Sequence, residues 1–96
     1  MPGHKRIAKL MQRRGLQYYD DVAVLHYFDG TSEEVFLLGM GADVGVNVQL
    51  NDGTKKDIPF RSIRDIQQTP NRKQSLKKHR MLLAKFYRQE VKKHKE

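Results

Sequence analysis

Lysine and arginine dominate the two ends of this 96-residue chain, and their placement suggests binding chemistry before catalysis. Residues 1–15 hold five basic residues and no acid, residues 16–70 hold four against nine acids, and residues 71–96 hold ten against two. An acidic centre of net charge −5 is therefore flanked by basic segments, in a chain of formal net charge +8. Acid-poor basic segments are the electrostatic footprint of contact with nucleic-acid phosphates. The candidate phosphate contacts are Lys5, Arg6, Arg13 and Arg14 in the first segment and Lys77, Lys78, Arg80, Lys85 and Arg88 in the last. The last set lacks the acidic partners that would make i,i+4 pairs on a purely structural helix. No base-reading motif accompanies them, so the expected ligand is DNA or RNA bound without regard to sequence. Tyr18, Tyr19 and Tyr27 could stack on unpaired bases, or serve as core and strand-pair residues. The competing readings of the charge are a solvated face, a face paired with the acidic centre, and attraction to an anionic membrane.

Catalytic chemistry is poorly represented. There are no cysteines, which excludes disulfides, thiolate metal sites and a cysteine nucleophile. His4, His26, His79 and His94 show no metal-ligand spacing, so no metal is expected. The pairs Asp20-Asp21 and Glu33-Glu34 could form acid–base dyads, but they fall at strand ends and turns, where solvated carboxylates are ordinary. The glycines of "GMGADVG" lack the Lys-Ser/Thr of a phosphate loop and read as a connection between strands. The expectation is a protein with no catalytic residues and no cofactor.

The elements that must position the basic residues can be read in order. Ile7, Leu10 and Met11 form one apolar helical face, and Gly15 supplies a stop. A helix this short must dock to be stable. "VAVLHYF", from Val22, alternates as a strand, with Val22, Val24, His26 and Phe28 on one face and Ala23, Leu25 and Tyr27 on the other. Asp29-Gly30 is a turn, and "EEVFLLGM" is a strand apolar on both faces, with Gly39 and Gly41 allowing a bend. "VNVQL" buries Val46, Val48 and Leu50, and Asn51-Asp52-Gly53 marks a hairpin. Lys56 to Phe60 is the returning strand, with Pro59 at its end or edge. Phe60 and Ile63 then point inward across a tight turn, and Ile66 closes a last short strand. Thr69 can cap a following helix with Pro70 at its first position. Leu76, Leu83 and Tyr87 form a stripe on that helix, widened by Leu82, Phe86 and Val91, with a cationic outer face.

The pattern describes a mainly β protein with flanking helices: a small SH3-like or Sm-like barrel of about four to five strands, whose closure would remove exposed sheet edges. Residues 1–15 are the basic N-terminal helical segment, 16–68 the barrel and 69–96 the basic C-terminal helix. The rival arrangement is an open sheet covered by the two helices.

The stretch from "VAVLHYFDG" through "VNVQLNDGTKKDIPFRSIRDI" resembles the YolD-like family, small bacterial and phage proteins with an Sm-like barrel. The shared pattern is a strand ending in Tyr, an L-x-D-G hairpin, and a close carried here by Ile58, Pro59, Phe60, Ile63 and Ile66. The resemblance implies a role beside error-prone DNA-repair polymerases or on mobile elements, without catalytic residues. The same close resembles SH3 and Tudor barrels, but no complete aromatic cage for methyl-lysine is present. The expected function is a nucleic-acid-binding accessory factor. The alternative is a protein-interaction adaptor using the barrel edge or the Leu76–Leu83–Tyr87 stripe, with self-association left open. No apolar run approaches the roughly 20 residues of a membrane span, and cytoplasmic placement is expected.

Overall fold

The computed structural model describes the backbone of residues 2–41 and 45–95 and the side chains of residues 3–41 and 45–85. In chain order the elements are α1 (Pro2–Arg13), β1 (Asp21–Tyr27), β2 (Ser32–Gly41), β3 (Gly45–Gln49), β4 (Lys55–Pro59), a 3-10 turn (Phe60–Ser62), β5 (Ile63–Gln68) and α2 (Arg72–Lys95). The five strands form one antiparallel sheet in the order β4-β3-β2-β1-β5. With helices before and after it, this is the expected small, mainly β domain with flanking helices.

Alternation decides which side chains face inward. Ala23 and Leu25 of β1, Val35 and Leu37 of β2, Val46 and Val48 of β3, Ile58 of β4, and Ile63 and Ile66 of β5 share one core with Phe60. The register of β2 against β3 shifts between Leu37 and Gly39, where the expected glycine bend falls. Gly45 faces Pro59 in the β3–β4 ladder, and a Cβ on it would lie 2.0 Å from the Ile58 carbonyl oxygen. Only glycine fits that approach.

Sheet closure differs from expectation. β4 and β5 are not hydrogen-bonded to each other, so the sheet keeps two edges. The corner between them is filled by the 3-10 turn and α1, and Phe60 belongs to that turn instead of to β4. Ile7 and Met11 of α1 are fully buried in the core, each such burial contributing roughly 1.5–3 kcal/mol. Arg6 donates to the carbonyls of Phe60 (2.9 Å) and Ile63 (2.7 Å), satisfying backbone acceptors at the corner. Helix α1 ends as its sequence implies. Gly15 adopts φ +67°, its amide donates to the Gln12 carbonyl, and the Leu16 amide donates to that of Met11, which is the Schellman closure.

Helix α2 begins two residues later than expected. Arg72 is its first residue, the Ser75 amide donates to the Asn71 carbonyl, and the Thr69 hydroxyl is buried and caps nothing. At 24 residues it is about 36 Å long. The outer sheet face that it covers explains why β2 is apolar on both sides: Val35 and Leu37 enter the core, while Phe36 is buried beneath α2. Among the described residues, none of α2 joins the apolar core. No described helix is long and apolar enough to cross a membrane.

Candidate nucleic-acid interface

Polar contacts fix α2 on the sheet, and they begin with two adjacent acids. Asp21, at the start of β1, is fully buried. Its carboxylate accepts from the amides of Gln17 (3.0 Å) and Val22 (2.9 Å) and from Arg72 Nε (2.9 Å). Asp20 sits at φ +53°, which only Asn, Asp and Gly adopt readily, and its carboxylate takes a two-point contact from Arg80 at 3.0 and 2.9 Å. The expectation that this pair is simply solvated is therefore corrected: Asp21 anchors the first turn of α2 and Asp20 holds the third. Glu33 and Glu34 are also engaged, Glu33 by the Tyr27 hydroxyl (2.6 Å) and Glu34 by the Ser75 hydroxyl (3.3 Å).

His79 lies at the centre of the contact, fully buried and stacked on Phe36 with ring centroids 5.5 Å apart. The side-chain amide of Gln49, also fully buried, donates to the His79 carbonyl (3.1 Å) and approaches its Nδ1 (3.3 Å). An accepting Nδ1 leaves the ring proton on Nε2, which lies 3.6 Å from Glu34. Sequence reasoning treated His79 as one of four scattered histidines. Its spacing from Leu76 and Leu83, i+3 and i−4, was the available signal, and its polar type hid it.

Burial lowers the His79 pKa from its ordinary 6.5. Glu34 opposes that shift, and nearby Lys78 adds to it. Because the folded protein binds this proton less readily than the unfolded chain, stability is full above pH 6.5 and is lost as pH falls below it. Urea midpoints between pH 7 and pH 5 are expected to decline more steeply in wild type than in H79F, which keeps an aromatic ring on Phe36. Parallel declines would refute the assignment.

The sequence-predicted cations divide into two groups. Arg6 turns to main-chain carbonyls and stands 5.8 Å from the centre of the Phe28 ring. Arg14 pairs with Asp65 (3.7 Å), Arg80 with Asp20, and Lys78 with the Asn51 side chain (3.3 Å). Lys5, Arg13, Lys77 and Lys85 are exposed. The side chains of Arg88 and Tyr87 lie outside the described residues. Leu76 and Leu83 are half-buried on the sheet-facing side of α2, which leaves Met81, 65% exposed, as the prominent apolar residue of the outward side.

Seven exposed cations among the described residues fall outside the predicted set: Lys9, Lys55, Lys56, Arg61, Arg64, Lys73 and Arg72, the last of which is paired with Asp21. Lys5, Lys9 and Arg13 recur every four residues and form one stripe on α1. Lys73, Lys77 and Lys85 lie on the side of α2 away from the sheet. The two basic segments are joined through the loop before β1. Gln68 donates to the Arg14 carbonyl at the end of α1, while Asp21 links the Gln17 amide to Arg72 of α2. That loop exposes Tyr18 (45%) and Tyr19 (66%) beside the Asp20–Arg80 pair, so neither ring serves the core.

Among the described residues, no group of three or more acidic, histidine or cysteine side chains is placed to hold a metal ion. No protein-family model, curated protein or solved structure matches the chain.

Proposed function

We propose that this protein is a non-enzymatic accessory factor that binds single-stranded nucleic acid through phosphate contacts from α1 and α2 and stacking on Tyr18 and Tyr19. The observation that supports this most directly is the pair of exposed tyrosines in the loop that ties the end of α1 to the start of α2. Sequence-tolerant single-strand binding combines a cationic track with aromatic faces on which bases stack. The exposed cations of α1 and α2 supply the track. The resemblance to YolD-like proteins adds a cytoplasmic role beside DNA repair or mobile elements to this proposal.

The test is fluorescence anisotropy of labelled single- and double-stranded DNA and RNA at two salt concentrations. The expected result is tighter binding to single strands, weakening with salt. The double variant Y18A/Y19A should lose roughly 1–3 kcal/mol per stacked base on single strands and little on duplex. Absence of salt-dependent binding to any of these probes refutes the proposal. The adaptor reading, through the barrel edge or the apolar stripe of α2, would then lead, and a cleft of about 810 Å³ lined by Asn51, Lys78, Met81, Leu82, Ala84 and Lys85 is a further surface for it.

A further inference from the structure

We infer that Arg80 is a phosphodiester site which Asp20 occupies in the free protein, so that Asp20 acts as a displaceable anionic plug. This rests on the proposed nucleic-acid reading and specifies how one of its contacts is regulated.

The two adjacent acids differ in a way that matters for exchange. Asp21 is buried, and its three donors come from two loop or strand amides and Arg72, so that pair anchors α2. Asp20 and Arg80 are each about half exposed, at 50% and 53%, and the guanidinium is the only side-chain group bonded to that carboxylate among the described residues. Breaking the second pair leaves the first intact, so α2 need not leave the sheet. Half-exposed ion pairs are weak and screened by salt, which makes replacement feasible. A phosphodiester presents two anionic oxygens to the same guanidinium fork that a carboxylate uses.

Location supplies the second argument. Tyr18 and Tyr19 immediately precede Asp20 and are exposed. A strand with bases on those rings would run its phosphates past Asp20. There the carboxylate repels them while it holds the cation they need. Asp20 also sits in a left-handed backbone conformation that most residues avoid, which places its carboxylate at the end of the loop against α2. Asn tolerates that conformation at least as well as Asp, so D20N removes the charge without imposing new backbone strain.

The experiment titrates wild type, D20N, R80A, D20N/R80A and D29N against a labelled single-stranded DNA, with helicity and melting recorded for each. D29N makes the same change in net charge at an acid that caps its own turn through Thr31, in the β1–β2 connection. D20N is expected to bind roughly fivefold tighter than wild type, with a salt slope steeper by about 0.7. R80A in the D20N background should cancel the gain, and R80A alone should not tighten binding. Equal affinity of D20N and wild type overturns the inference while leaving the nucleic-acid reading in place. So does an equal gain in D29N, which would be a net-charge effect, or a gain in R80A, which would reflect loosening of α2. No binding by wild type or any variant overturns both readings together.

Discussion

The triple variant K73E/K77E/K85E is expected to bind single-stranded nucleic acid ~100-fold more weakly than wild type at low salt, and to flatten the salt slope by about two. These lysines lie on the side of α2 away from the sheet, and the contacts that dock the helix come from Arg72, Ser75, Lys78, His79 and Arg80. Glutamate is as good a helix former as lysine, so the fold should survive the change. The loss should be uniform across sequences, because phosphate contacts position a protein and carry no sequence information. The matched variant K5E/K9E/R13E asks whether α1 faces the same strand. A comparable loss means that one nucleic-acid path crosses both helices, whereas retained affinity confines the path to α2. Undiminished affinity in the α2 variant eliminates the phosphate-backbone reading.

D21A is expected to destabilise the protein by roughly 3 kcal/mol, the range for breaking a buried, hydrogen-bonded ion pair after allowing for a half-exposed partner. Its carboxylate is fully buried while Arg72 is 46% exposed, so the arginine can return to water when the acid is removed. The buried Val22 amide cannot, and the part-buried Gln17 amide loses its partner as well, so these two donors account for most of the cost. For a domain of this size the melting temperature should fall by about 12–24 °C. D20N, one residue away, should move stability by no more than about 1 kcal/mol, because both partners of its pair remain half in water. Thermal or urea unfolding of the two variants side by side measures the contrast. Similar stability losses would mean that the neighbouring acids share one structural role, contrary to their burial.

Those two acids also mark where sequence reasoning stops. The sheet was legible because its code is local: alternation in "VAVLHYF" and "VNVQL", and turn residues at Asp29-Gly30 and Asn51-Asp52-Gly53, each act within a few positions. The formation of α1 and its need to dock were legible for the same reason, from Ile7, Leu10 and Met11 on one face and Gly15 at the stop, whereas its seat against Phe60 and Ile63 was not. The seat of α2 was not. It is built from the buried polar residues Gln49, His79 and Asp21 and from the half-exposed Arg72, whose pairing depends on partners 30 to 51 positions away. A carboxylate at a strand end looks the same in sequence whether it faces water or an arginine. The basic sites were half legible: charge asymmetry found the two segments, but it could not separate Arg80 and Arg14, which already hold acids, from Lys77 and Lys85, which hold none among the described residues. The exposure of Tyr18 and Tyr19 likewise depended on the loop lying outside β1.

The position of α1 has a consequence for how the chain reaches its native state. The first helix completes a core whose other wall, Phe60 to Ile66, is more than fifty residues away, as the 54- and 57-residue separations of the Arg6 contacts record. Native closure must therefore wait until β5 has formed, and the loop entropy of joining the two ends is met late. During synthesis α1 emerges before the strands and docks among the last elements. Until then its apolar face stays in water and its cationic face keeps the nascent segment soluble. Folding of this domain is thus expected to be limited by a long-range clasp between its beginning and its fifth strand, and to proceed more slowly than its length alone suggests.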